Sequence, residues 1–451
     1  MKMKIKVDSR KVEKGDTFIA LRGIDGDGHK FINKAIENGA SKIICEEGSY
    51  SVETIVVKDT REYLINYLNE NYGDKINKLK IIGITGTNGK TTSAYLFHEI
   101  LNEIGKKCGY IGTIGFYINE KVRSLNNTTP DIYDLYELLL ECYDKNCEYV
   151  IMEVSSQGLA NKRVESLKFD YAVFTNLTQD HLDFHKTMEN YLKAKLLILD
   201  QLKGTIIVNS DDPYGKYFET KNYKTLGYTG KDYQIIFYEE TDKGTLIKFK
   251  ALDKEYTVET NLKCKYNVYN YLTALGLLNT LGISISDIIN VTKDIYAPKG
   301  RCEQIKVREA YAVIDYAHTP DAVEKIITSF LENKKGKIYT IVGCGGDRDP
   351  LKRPIMGKIA TDLSDYVIFT SDNPRTEDPK KILEDIIKGV SKDNYVVEPD
   401  RKEAIRKGLN MLKKNDVLLI LGKGHEDYQI IGHTKYHLDD LEEVKKYLET
   451  N

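Results

Sequence analysis

The segment Lys80–Thr92, reading Lys-Ile-Ile-Gly-Ile-Thr-Gly-Thr-Asn-Gly-Lys-Thr-Thr, constrains this chain more than any other. An apolar strand runs straight into a glycine-rich turn. Phe97, Ile100, Leu101 and Ile104 then recur at helical spacing until Gly105 stops the helix. Gly86 and Gly89 let backbone N–H groups approach phosphate oxygens, Lys90 neutralises charge, and the Thr91 hydroxyl can reach a magnesium ion. The phosphates of a nucleoside triphosphate would lie at the positive end of that helix. The strict P-loop pattern wants its first glycine where this chain has Ile84; here the glycines fall at 83, 86 and 89. An ordinary strand-to-helix loop gives no reason for three glycines and a lysine together.

A chain of 451 residues is too long for one core, so about two to four domains are expected. Apolar content of 41% with 30% charged residues describes a soluble globular protein. The formal net charge of −2 provides no bulk basic field to recruit nucleic acid, so local groups must hold any anionic ligand. No apolar run approaches a membrane span, and Met1–Val7 has positive residues without an apolar signal core behind them. The expectation is a cytoplasmic protein with neither membrane nor nucleic acid as partner. The seven cysteines are scattered singly, and the nearest pair, Cys142 and Cys147, reads as lying on one helix. No second pair or nearby histidine completes a zinc site, so buried reduced thiols are expected.

Residues 1–79 read as a short α/β segment: a strand at Phe18–Leu21, a turn at Asp25–Gly28, a helix at Phe31–Glu37 and a strand at Lys42–Cys45. Residues 80–299 form a larger block with buried strands at Tyr149–Met152, Tyr171–Phe174 and Gly204–Val208. Helices are expected there at Met188–Asp200 and Tyr269–Thr280, and Ala297–Gly300 reads as a linker. Residues 300–451 form a third α/β block, with strands at Ala312–Asp315, Lys337–Val342, Tyr366–Phe369 and Val417–Leu421. Each of these strands ends in a loop rich in Gly, Asp, Asn or His, where open α/β sheets bind their ligands.

Four clusters in the middle block bear on chemistry. Glu153-Val-Ser-Ser-Gln157 offers a carboxylate and two hydroxyls, Asp180–His185 packs two histidines and two aspartates into six residues, Asn127–Pro130 is a polar turn, and Lys195 lies on a helix. Each has a plain alternative: a solvated loop carboxylate, a capped helix start, one more surface lysine. Together they follow the P-loop strand in one sheet, where magnesium with a triphosphate needs one or two such groups.

At this point the chain resembles the Mur ligases, the ATP-dependent amino acid ligases that build the peptidoglycan stem peptide. The resemblance covers nearly the whole length. Its first motifs are Val7–Arg10, Asp27–His29 and Thr85–Thr92. Glu153–Ser156, Thr175–Leu177, Asp180–His185, Tyr191–Lys195 and Asn267–Asn270 follow. The last block adds Gly300–Arg301, Asp315–Asp321, Gly343–Asp349, Asp372–Arg375 and Gly422–Glu426. The pattern is most similar to the members that add the third residue of the peptide.

The resemblance implies an α/β protein of three domains. Residues 1–79 would bind the UDP substrate, 80–299 would be a P-loop parallel-sheet ATPase domain, and 300–451 a Rossmann-like domain carrying the amino acid. It implies ATP and Mg²⁺, a monomer, and a reaction through an acyl phosphate. ATP phosphorylates the D-glutamyl side-chain carboxylate of UDP-N-acetylmuramoyl-L-Ala-D-Glu, and the amine of meso-diaminopimelate displaces phosphate. By position, Lys90, Lys195, His181 and Glu153 resemble catalytic residues, with Thr91, Glu153, His181 and a carbamylated Lys195 at the metal. Gly86, Thr87, Asn88, Gly89, Lys90, Thr91, Thr92, Asn267, Arg301, Asp315 and His318 resemble ATP contacts. Ser9, Asn127, Thr128, Thr129, Ser155, Asn161 and Arg163 match contacts to the UDP-muramoyl-dipeptide. Arg348, Asp372, Asn373, Pro374, Arg375, Gly422 and Glu426 match the diaminopimelate pocket.

Asp372-Asn-Pro-Arg375 is the most discriminating of these motifs. The planar fork of Arg375 suits the far carboxylate by which diaminopimelate differs from lysine, and Glu426 suits its ammonium. Meso-lanthionine carries the same groups and stays open, as do L-lysine and a ligase similar to folylpolyglutamate synthetase. Where relatives often have histidine, glutamine and glycine, this chain has Gln157, Asn161 and Cys264.

Overall fold

The computed structural model describes residues 3–23, 26–241, 243–332 and 334–450; Asp25 of the expected Asp25–Gly28 turn lies outside them. Three larger sheets succeed one another along the described residues, followed by a two-stranded antiparallel hairpin, Tyr428–Ile431 with Thr434–His437. The first is parallel, with strands Ile5–Lys6, Thr17–Ile19, Lys42–Cys45 and Glu53–Val56 in sequence order. The helix expected from Phe31 begins as a 3₁₀ turn, Gly28–Phe31, because the Asp27 side chain accepts from His29 N, and becomes α-helical only over Ile32–Glu37. Helix Thr60–Ile76 is capped by Asp59 and buries Leu64, Leu68, Tyr72 and Ile76, one residue per turn. That stripe packs against helix Ile132–Asp144 of the next block, so the first sheet shares a core with the second.

The second sheet has eleven strands. The P-loop strand Lys80–Thr85 lies between Phe169–Phe174 and Tyr149–Glu153, parallel to both. Its middle residues and those of Tyr149–Glu153 are buried on both faces, which is why these segments read as unbroken apolar runs. On one side Cys108–Gly112 leads into an antiparallel pair, Gly115–Ile118 and Glu120–Arg123. On the other, Leu202–Asn209, Tyr223–Gly227 and Tyr233–Glu240 continue the parallel order. Thr245–Ala251 and Lys254–Thr260 then return antiparallel. The P-loop helix, Lys90–Glu103, packs on helix Lys265–Thr280 across a core holding Phe97, Leu101, Tyr271 and Leu275.

The third sheet begins with an antiparallel edge strand, Glu303–Val307, on Ala310–Asp315. Val417–Leu421 inserts between Ala310–Asp315 and Ile338–Val342, and Tyr366–Phe369 and Tyr395–Val397 extend the parallel order outward. The late insertion of Val417–Leu421 makes a topological switch point, with a crevice at the carboxyl ends of the strands around it. The loops after Asp315, Val342, Phe369 and Leu421 all open there.

Three sequence expectations are corrected. The helix from Met188 is α-helical only to Leu196 and finishes as a 3₁₀ segment, Leu197–Gln201. Cys147 lies beyond helix Ile132–Asp144, its N–H bonded back to Cys142 O at 2.9 Å. Five cysteines are free and buried as expected, but Cys264 and Cys302 form a disulfide joining helix Lys265–Thr280 to the start of the third block. Their separation of 38 residues gave no cue to the pairing.

Candidate functional site: a phosphate loop facing an amino-acid crevice

Gly86 has φ +148°, and a Cβ there would strike the Thr175 hydroxyl. Only glycine lets the loop settle on the Thr175–Asn176 corner that follows strand Phe169–Phe174. Thr87 N donates to Asn176 O at 2.8 Å, Asn88 N to Asn176 Oδ1 at 2.9 Å, and Thr175 Oγ1 to Asn88 O at 2.7 Å. Gly89, at φ +86°, caps the P-loop helix and turns its first N–H groups toward the loop. Lys90 folds back over this cradle, its Nζ donating to Gly86 O at 2.9 Å and Thr87 O at 2.7 Å. Those two carbonyl contacts are ones that phosphate oxygens can replace.

Glu153, at the end of strand Tyr149–Glu153, is fully buried. Four donors converge on its carboxylate: Tyr110 OH at 2.5 Å, Thr113 N at 2.9 Å, Thr91 Oγ1 at 3.0 Å and Thr113 Oγ1 at 3.1 Å. Such a set compensates for burying a charged carboxylate and fixes its direction. Tyr110 and Thr113 were not singled out from sequence, since only sheet pairing brings Cys108–Gly112 beside Tyr149–Glu153.

Lys195 is also buried, its Nζ donating to Gly86 O at 2.7 Å and lying 4.6 Å from the centre of the Tyr191 ring. Burial, reinforced by the Lys90 ammonium, pushes this amine well below the ordinary lysine range. The plain alternative, one more surface lysine, is therefore excluded. His181 takes a left-handed backbone, φ +55°, which aims its Nε2 at Asp180 Oδ2, 3.3 Å away. Burial works to raise Asp180, but the charges of His181, Lys352 and His318 together hold its carboxyl well below the usual range. Lys352 reaches Asp180 Oδ1 at 3.5 Å from the third block.

Between the P-loop helix, helix Lys265–Thr280 and the third sheet lies a cavity of about 610 Å³, walled by Gly89, Thr92, Asn270, Tyr266, Arg301 and His318 among others. That volume suits a small-molecule ligand. Asn267 does not reach it. Asn267 donates to Lys263 O at 2.7 Å and accepts from Asn270 at 2.8 Å, so Asn270 is the residue presented to the cavity. Arg301 bridges the two blocks: its Nη2 lies 3.2 Å from Thr91 Oγ1, and its guanidinium stacks 4.5 Å above Tyr316. Asp315 accepts from Cys302 N at 2.7 Å, Ala317 N at 2.8 Å and Tyr266 OH at 2.9 Å. His318 is pushed down to about 4, chiefly by burial, and is neutral at neutral pH.

The expected dipeptide contacts are only partly gathered. Thr129 bonds Glu153 O and Ser155 Oγ, each at 3.0 Å, and Arg163 Nη1 donates to Thr129 O at 3.1 Å, so these three form one patch beside Glu153. Thr128 joins it through Thr113, hydroxyl to hydroxyl at 3.0 Å. Asn127 is exposed, Asn161 ends helix Ser156–Ala160, and Ser9 sits apart in a 3₁₀ turn of the first block.

In the crevice of the third sheet, Asp372 and Gly422 face each other: Gly422 has φ +109°, and a Cβ there would stand 2.6 Å from Asp372 Oδ2. Pro374 is packed beneath Gly346, and Asn373 Nδ2 donates to Glu426 Oε2 at 2.8 Å. Arg375, at φ +51°, donates from Nη1 to Gly346 O at 2.7 Å. Arg348 is exposed on the neighbouring loop and donates to Asp347 O at 2.8 Å. The phosphate loop and this crevice are joined by Arg301, Tyr316 and His425, whose ring lies 5.1 Å from that of Tyr316.

Comparison with known proteins follows the same division. Models of the Mur ligase family match in three stretches: the catalytic domain over residues 4–72, the middle domain over 84–278 and the glutamate ligase domain over 300–424. The chain is 42% identical, over 99% of its length and 95% of the relative's, to UDP-N-acetylmuramoyl-L-alanyl-D-glutamate–2,6-diaminopimelate ligase of Clostridium botulinum. The chain belongs to the Mur ligase family. Another of these Mur ligases, the diaminopimelate ligase of Fusobacterium nucleatum, is 45% identical over 98% of this chain and 93% of its own. Among solved structures, the MurF ligase of Thermotoga maritima in complex with ADP shares the fold, with TM-score 0.73 and 21% identity over the full length of both chains.

For the magnesium ion expected from the sequence, the donors here fit in part. Among the described residues no three His, Cys, Asp or Glu side chains cluster. The Thr91 hydroxyl and Glu153 carboxylate do supply adjoining hard oxygen ligands, and magnesium retains most of its waters.

Proposed function

We propose that this Mur ligase joins meso-diaminopimelate to UDP-N-acetylmuramoyl-L-alanyl-D-glutamate at the expense of ATP, in the cytoplasm, as a monomer. In this reading residues 1–79 take the UDP moiety, 80–299 the nucleotide and 300–451 the amino acid. The observation that carries it is the short path from Thr91 through Arg301 and Tyr316 to the Glu426 loop, which sets a phosphate cradle against a crevice holding both an Arg and a Glu. The crevice suits an amino acid with charge of both signs at its far end.

The chain's own groups divide the work. Lys90 and the P-loop N–H groups take the nucleotide phosphates, and Asn270 and Arg301 flank them. Charge gathers on phosphoryl oxygens as the glutamyl carboxylate attacks, and fixed cations stabilise it without reorganisation. Bound Mg²⁺, held by Thr91, Glu153, His181 and carbamylated Lys195, would neutralise the same oxygens. The depressed Lys195 amine is the unprotonated form that carbamylation by CO₂ requires. Thr129, Ser155 and Arg163 would hold the dipeptide acid beside Glu153. Closure of the third block over the cavity, tied by Lys352 to Asp180 and by Asp321 to Asn88, keeps water from the acyl phosphate.

Phosphate release measured with each substrate omitted in turn tests the reading. Steady release should require ATP, the UDP-dipeptide and diaminopimelate together. Release without an amine, or turnover with a folate alone, would overturn it. Lanthionine and L-lysine in the same assay decide the acceptor. Arg375→Ala should lower kcat/KM for diaminopimelate by on the order of 10²-fold or more, with the KM for ATP held.

A further inference from the structure

Lys423 lies in the loop after strand Val417–Leu421, between Gly422 and Gly424, and is 0% exposed. Its Nζ stands 3.2 Å from Glu426 Oε2 and 3.3 Å from Asn373 Oδ1, and donates to the Tyr428 carbonyl. One ammonium thus spends its donors on groups from two loops and a strand. Asn373 closes the triangle, donating to the same Glu426 oxygen at 2.8 Å while its Oδ1 accepts from Ile430 N at 2.9 Å. Glu426 Oε2 is committed twice. Its Oε1 has one contact among the described residues, the Tyr428 hydroxyl at 3.5 Å.

We propose that Lys423 is a positioning residue of the amino-acid crevice, fixing Glu426 so that Oε1 is presented, charged, to the ammonium at the far end of the incoming amino acid. This rests on the reading of the crevice given above. A lysine as surface solubiliser is excluded by its burial, and as a direct amino-acid ligand by its three committed contacts. The groups facing Glu426 are Asp372, Lys423, Tyr316, Tyr428 and Arg401. Burial and the neighbouring Asp372 push the Glu426 carboxyl up, and Lys423 pulls it back. Without the ammonium, two buried carboxylates would share a crevice, and Glu426 would take up a proton nearer neutral pH. A protonated Glu426 holds an ammonium poorly.

The test is the pH dependence of kcat/KM for diaminopimelate in wild type, Lys423→Met, Glu426→Gln and the double variant, with the KM for ATP measured alongside. Lys423→Met should raise the diaminopimelate KM by about tenfold or more, and move the acidic limb of the profile to higher pH. The KM for ATP should stay within about twofold. In the Glu426→Gln background the limb should be gone, and adding Lys423→Met should cost little further. Should Lys423→Met fail to fold, Lys423→Arg, which retains the charge, should leave the limb where wild type has it. An unmoved limb in Lys423→Met, an equal loss in both backgrounds, or a displaced limb in Lys423→Arg would overturn the proposal. A wild-type enzyme that does not use diaminopimelate would instead overturn the assignment of the crevice.

Discussion

Replacing Tyr110 by phenylalanine removes one oxygen and with it the shortest of the four contacts to Glu153, the 2.5 Å bond from the phenol. The ring stays, packed edge-on to Tyr117 at 5.6 Å, so the core around it is not opened. A hydrogen bond to a charged group is worth about 1.5–3 kcal/mol. Three donors remain on Glu153, too few to fix its rotation, and we take the loss as about 2 kcal/mol. At about 1.4 kcal/mol per factor of ten, the magnesium needed for half-maximal phosphate release should rise about 30-fold. The KM for diaminopimelate should not move, because the crevice lies in another block. Tyr95→Phe is the control: its ring neighbours Tyr110 at 6.5 Å, yet its hydroxyl does not bond Glu153. A Tyr110→Phe enzyme with wild-type magnesium dependence and kcat would refute the placing of Glu153 at the metal.

Further outcomes follow from other groups. Lys195→Ala should lose on the order of 10²–10³ in kcat and regain part of it with short carboxylic acids; an unimpaired variant removes the carbamate role. Alkylation under denaturing conditions should find five thiols before reduction and seven after it; seven in both would remove the Cys264–Cys302 bridge. Glu99, raised to about 7 mainly by burial, contributes stability in its protonated form, present below about 4.5 and lost as pH rises through 7. Glu99→Gln should therefore gain about 1 kcal/mol in urea unfolding at pH 8 relative to pH 5, after allowing for its partial exposure. An equal difference at both pH values would contradict this.

What the sequence alone determined is local or periodic. The P-loop is recognisable from its own residues: glycines where φ is positive, a lysine after them, and an amphipathic helix whose dipole faces the turn. Strands Tyr366–Phe369 and Val417–Leu421 were bounded correctly because parallel strands covered on both faces must be apolar throughout. The Thr245–Ala251 strand, buried at every second residue, carries an equally plain alternation.

The rest was decided by packing between distant segments. Asn267 and Asn270 lie on one face of one helix, and only the seating of that helix on the P-loop helix determines which of them reaches the cavity. Tyr110 and Glu153 are 43 residues apart, joined by a sheet register. Lys195 is marked in the sequence only by the family motif Tyr191–Lys195, and Lys423 by residue type looks like any other lysine in a lysine-rich chain. Their burial gives them their chemistry, because a cation taken out of water must either find fixed partners, as Lys423 does, or give up its proton, as Lys195 is pushed to do. No string of residues records that environment, since it is made by neighbours contributed from elsewhere in the fold.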